Sequence, residues 1–250
     1  MERWEQAVWE FLASYQQEPW FLGAMVTGSY ATGTQNENSD IDVILLSGDI
    51  SWRERGNRRV GGYLIEYFIN PACQLIKEIE EEPQSYHTST SGMLTMGKIL
   101  ADPRGELAKL VDFAAQSRRR PFEPLSDVGY KLSCYTVWDS YDELESADKR
   151  GEDVTLYYVH WLDAITKARF CECRLGHIPA SKLQRVLFDQ EYCQKVGAKL
   201  PKEEFVRLLK ACLQATDNNG RLAAAKQLQE YWQSQNAEFD IENFTLHSSL

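Results

Sequence analysis

Over the first seventeen positions Trp4, Val8, Phe11, Leu12 and Tyr15 fall at i, i+4, i+7, i+8 and i+11, which predicts an amphipathic helix over 2–17 ahead of Pro19. The pattern then changes period. Phe21 to Thr27 is a short apolar run that ends in Gly28-Ser29, as expected of a buried strand breaking into a turn. Residues 40–46 read as a second buried strand with two acids at its start, and residues 62–70, rich in Tyr, Ile and Phe, as a third strand that stops at Pro71. Helical spacing returns over 72–82 and 104–116, around a polar segment containing Ser89, Thr90, Ser91 and Gly92.

Arg118, Arg119 and Arg120, followed by Pro121 and Pro124, punctuate the chain, because proline cannot continue a helix. Beyond them, helical patterns cover 127–148, 154–175, 181–195, 202–215 and 219–236. The reading is an α+β fold of two domains: a mixed sheet with flanking helices over 1–118, then an all-helical bundle over 121–250. On the first helix of the bundle, Asp139, Asp142, Glu143 and Glu145 share the polar side, either as a solvated face or as a surface for the amines of a cationic molecule.

Composition narrows the class. No stretch approaches the roughly 18 apolar residues of a membrane span, and the start lacks the apolar core of a signal peptide, so no membrane role and a cytoplasmic location are expected. The six cysteines are scattered rather than densely spaced, which favours reduced thiols. Cys171, Cys173 and His177 lack the second ligand pair of a zinc site and read better as structural residues. A formal net charge of −10 disfavours a long nucleic acid as partner. It suits a small cationic one, or serves solubility.

The segment from Gly28 to Asp42 carries the chemistry. A strand that ends in Gly-Ser and opens a helix presents backbone N–H groups and a hydroxyl where phosphate oxygens bind favourably, and glycine permits close approach. Strand alternation predicts that Asp40 and Asp42 project to one side, with Ile41 in the core. Two such carboxylates suit Mg2+, which keeps waters and bridges carboxylates to substrate phosphates; two ions about 4 Å apart would clamp an in-line displacement. Glu66 is a lone charge in an apolar strand, which a metal or polar cleft would explain, and is the candidate third acid.

Taken as a set, hydrophobic-Gly28-Ser29 followed by Asp40-Ile41-Asp42-Val43 resembles the DNA polymerase β-like nucleotidyltransferase superfamily. The Gly28-Ser29-Tyr30-Ala31-x-Gly33 form, the Lys98 to Gly105 segment and the helical second half look like the aminoglycoside (antibiotic) adenylyltransferases. The resemblance implies that Ser29 holds the β- or γ-phosphate, that Asp40 and Asp42 bind Mg2+, and that Glu66 completes the metal site or acts as general base. It further implies two Mg2+ ions, ATP or another nucleoside triphosphate as co-substrate, and a small hydroxylated acceptor such as an aminoglycoside. The segment Pro179 to Arg185 resembles one that brings basic residues to the nucleotide at a cleft between the domains, with Lys182 as the candidate; in some relatives a homodimer completes that cleft. Thr32 stands where many relatives have Arg. Two other readings stay open: AMP transfer to a protein acceptor, and a catalytically inactive nucleotide-binding protein.

Overall fold

A computed structural model describes residues 1–48 and 50–247. The chain divides into two compact units, Met1–Pro121 and Phe122–Leu250, of which 248–250, the end of the expected helical domain, lie outside the described residues.

In the first unit, α1 (Arg3–Leu12) precedes β1 (Phe21–Thr27), the short α2 (Gly28–Thr32), β2 (Ile41–Ser47), β3 (Glu54–Val60) and β4 (Tyr63–Pro71). Then follow α3 (Ala72–Ser85), α4 (Ser89–Met96), β5 (Lys98–Ala101) and α5 (Glu106–Ser117). The five strands form one mixed sheet in the order β3-β4-β2-β1-β5, with β2 and β4 parallel and the other neighbours antiparallel. The hairpin between β3 and β4 turns through Gly61 and Gly62, with φ of 56° and 89°. A two-residue hairpin turn of this twist needs positive φ at both central positions, where glycine carries no Cβ penalty.

Alternation along the strands splits the core in two. Ile41, Val43 and Leu45 of β2, with Ile65, Tyr67 and Ile69 of β4, pack beneath Val8, Phe11 and Leu12 of α1. On the opposite face, Met25, Ile44 and Leu46 lie beneath Leu75 and Ile79 of α3, Leu94 of α4 and Leu107, Leu110 and Ala114 of α5. Asp42 and Glu66 take the next alternate positions on that second face, and both are half-buried. The sheet is thus sealed by helices along most of its length and polar at one end.

The first helix stops at Leu12, short of the expected residue 17, yet Tyr15 still packs against Phe11 and Tyr67. Strands β3 and β5 and helix α4 were not expected from the pattern. The polar start of α4 is held by α3: the buried Glu82 carboxylate accepts from Ser91 N–H at 3.0 Å, and Thr90 donates to Glu78 at 2.9 Å.

The second unit is helical: α6 (Asp127–Lys149), α7 (Thr155–Glu172), α8 (Ala180–Phe188), α9 (Gln190–Lys195), α10 (Glu203–Gln214) and α11 (Asn218–Gln235). Its core gathers Val137, Leu144, Trp161, Ile165, Phe205, Leu209, Leu228 and Trp232. One expected helix over 181–195 is broken at Asp189, whose extended backbone ends α8 and whose carboxylate accepts from Tyr192 N–H at 2.9 Å to cap α9.

Candidate active site

Strand β1 delivers the Gly-Ser turn. Thr27, its last residue, is fully buried and donates its hydroxyl to the Met93 carbonyl of α4 at 2.6 Å, which pins the strand end. Gly28 then turns the chain with φ 66° and starts α2, which closes at Gly33 with φ 67°. Helix α2 has five residues, so little aligned backbone dipole stands behind its first N–H groups. Thr32 has a local job: its hydroxyl donates to the Gly28 carbonyl at 3.0 Å and lies 2.9 Å from the Thr34 hydroxyl, tying the ends of α2 together.

The register places Thr27, Asp42, Glu66 and Asn57 in one row across β1, β2, β4 and β3. Residues in one such row project to the same face, so Asp42 and Glu66 are lateral neighbours. The link between the Gly-Ser turn and Asp42 is tighter still. A Cβ on Gly28 would overlap Oδ2 of Asp42 and stand 3.0 Å from its Cγ. Residue 28 has to be glycine for the carboxylate to lie against the turn as it does. Asp40 stands one residue ahead of β2, where no ladder enforces alternation, and its charge is felt by Tyr30. Burial first, then the charges of Tyr63 and Asp40, push the Tyr30 hydroxyl upward in pKa.

Glu66 has a partner that the sequence reading did not foresee. Arg55 of β3 directs both Nη2, at 2.5 Å, and Nε, at 2.7 Å, onto Oε1 of Glu66. The guanidinium also lies over the Phe68 ring, 5.0 Å from its centroid. An acid in an apolar strand needed a compensating group, and a cation on the neighbouring strand supplies it, so its presence there no longer argues for a metal by itself. The one cue available in the sequence was the spacing of Arg53, Arg55, Asn57 and Arg59 at every second position, a strand period written in polar residues.

Among the described residues no three His, Cys, Asp or Glu side chains converge into a group able to hold a metal ion. Asp40 and Asp42 are nonetheless hard oxygen donors at one strand end, Asp42 seated in a glycine-made recess. That donor set fits Mg2+, which uses one or two carboxylates and completes its shell with water and substrate phosphates.

The remaining residues have the following surroundings. Lys98 of β5 pairs with Glu5 at 2.9 Å over the Trp4 ring. Lys182 is exposed near the start of α8 in the second unit. Cys171 lies 3.2 Å from His177 Nε2, and burial pushes its thiol up to about 11, which keeps it protonated. Among the described residues no helix is long and apolar enough to cross a membrane.

Residues 8–85, from α1 through α3, match the nucleotidyltransferase domain family. The Gly-Ser turn, β2 and β4 all lie inside that match, and the domain makes the chain a nucleotidyltransferase, an enzyme that moves a nucleoside monophosphate from a nucleoside triphosphate to an acceptor. Among solved structures the chain is similar to a nucleotidyltransferase-like protein from Exiguobacterium sibiricum 255-15, with 14% identity and a TM-score of 0.47 over 93% of this chain and 75% of that one. No curated protein matches the chain.

Proposed function

We propose that the chain transfers AMP from ATP to a hydroxyl of a small cationic acceptor of the aminoglycoside kind, releasing pyrophosphate. The observation that carries the transfer is the seating of Asp42 against Gly28, which joins the Gly-Ser turn to the strand acids within the matched domain. In this reading Asp40 and Asp42 hold Mg2+, and Gly28 and Ser29 receive the triphosphate. Bound there, the metal neutralises charge on the phosphates and lowers the barrier to attack on the α-phosphorus. Glu66 either completes that metal site or takes the proton of the acceptor hydroxyl as the bond to phosphorus forms. Lys182 has its nucleotide contact on the resemblance alone.

The acceptor class rests on the net charge of −10 and on the likeness to antibiotic adenylyltransferases. Incubation with Mg2+, each of the four nucleoside triphosphates and a panel of aminoglycosides should release pyrophosphate with ATP and at least one acceptor. Asp42→Asn should abolish the release. Turnover of ATP with no aminoglycoside but with a protein acceptor, seen as an added AMP by mass spectrometry, would overturn the choice of acceptor and leave the transfer standing.

A further inference from the structure

The pair formed by Arg55 and Glu66 has a geometry that a simple surface ion pair lacks. The Glu66 side chain is 16% exposed and that of Arg55 is 70% exposed, so a solvated cation covers a half-buried acid beside Asp42. Two guanidinium nitrogens, Nη2 and Nε, converge on Oε1. The guanidinium also rests on the Phe68 ring, a second contact that does not depend on Glu66.

We propose that Arg55 is a positioning residue that holds Glu66 against free divalent cations and releases it to the nucleotide. The inference rests on the nucleotidyltransferase reading of the same site. A cation approaching Glu66 alone meets a fixed positive charge and must displace an existing partner, which weakens its binding. A magnesium–nucleotide complex arrives with net negative charge, and its phosphate oxygens give the Arg55 fork an alternative partner of the geometry it favours. Arg55 therefore opposes the metal by itself and favours the metal–nucleotide complex. These opposite signs separate an exchange from a structural ion pair, whose loss would weaken both ligands or neither.

The test uses the full chain and two binding measurements. Free Mn2+ is followed by its paramagnetic resonance signal, and MgATP by calorimetry, in the parent protein and in Arg55→Gln, Arg55→Lys, Glu66→Gln and the double variant Arg55→Gln/Glu66→Gln. Arg55→Gln should bind Mn2+ about two- to fivefold more tightly, the scale of a solvent-screened ion pair, and MgATP more weakly by a similar factor. Arg55→Lys should stay near the parent for Mn2+. In the Glu66→Gln background the Arg55→Gln change should leave Mn2+ binding unaltered. Mn2+ binding that is absent throughout, weakened or unmoved by Arg55→Gln, or strengthened even without Glu66, overturns the proposal. If the parent protein binds no MgATP, the nucleotide reading fails instead, while the Mn2+ series still decides whether Arg55 guards Glu66. Circular dichroism melts of each variant show whether the fold is retained.

Discussion

Gly28 is where a backbone requirement and the seating of Asp42 coincide. Its φ of 66° lies in the left-handed region, and the space a Cβ would need is filled by the Asp42 carboxylate. The left-handed conformation alone costs a non-glycine residue about 1–2 kcal/mol. The steric clash falls on a side chain that can rotate away, so most of the damage goes to the position of Asp42. Gly28→Ala should therefore lower transfer by more than about tenfold, a barrier change of roughly 1.4 kcal/mol, while lowering the melting temperature only modestly. A variant that melts many degrees lower in proportion to its lost activity would show that the glycine serves folding instead. The turn at Gly28 and the strand that carries Asp42 were legible because their spacing is local. The partner of Glu66 was not, because Arg55 lies eleven residues earlier on a strand whose own sequence does not look like one.

At the scale of elements, β3 shows how pairing overrides propensity. Glu54, Arg55, Asn57, Arg58 and Arg59 are poor strand formers taken singly, and β3 is an edge of the sheet. The charged ones gain partners from the neighbouring structure: Glu54 accepts from the Tyr67 hydroxyl at 2.6 Å, and Arg58 lies over the rings of Phe11 and Tyr15. Charges on an exposed edge also oppose strand addition by another chain. Gly56 is the point where this edge closes on the core, since a Cβ there would come within 2.5 Å of the Tyr67 hydroxyl and 2.6 Å of its ring. Gly56→Ala should destabilise the first unit by about 1–3 kcal/mol, the usual cost of overpacking, read as a lower urea midpoint. An unchanged midpoint would mean that the Tyr67 ring moves aside at little cost.

For the whole molecule, two cores built from separate stretches of chain make the response to pH a matter of what each buries. In the helical unit, burial pushes the Cys134 and Cys212 thiols up from 9.0 to about 11. The fold keeps both protonated where the unfolded chain ionises, so their contribution is full below about pH 9 and drains away as the pH climbs towards 11. Tyr158 is also pushed up, mainly by burial, and adds a loss of the same sign at still higher pH. Melts taken from pH 7 to 10.5 should show a falling midpoint above pH 9, with a shallower slope in Cys134→Ala/Cys212→Ala. An equal slope in that variant would assign the loss to other raised groups, among them Cys171 and the tyrosines.

Local spacing by itself determined the class of this protein: helix and strand periods, the Gly-Ser turn and the Asp-x-Asp strand are written within a few residues of one another, where backbone geometry alone relates them. Tertiary structure decided the rest. It set Asp42 against Gly28, made a polar stretch into β3, and brought Arg55 onto Glu66. Those relations depend on which strands become neighbours and in what register, and that is settled by burying two faces of one sheet rather than by any run of sequence.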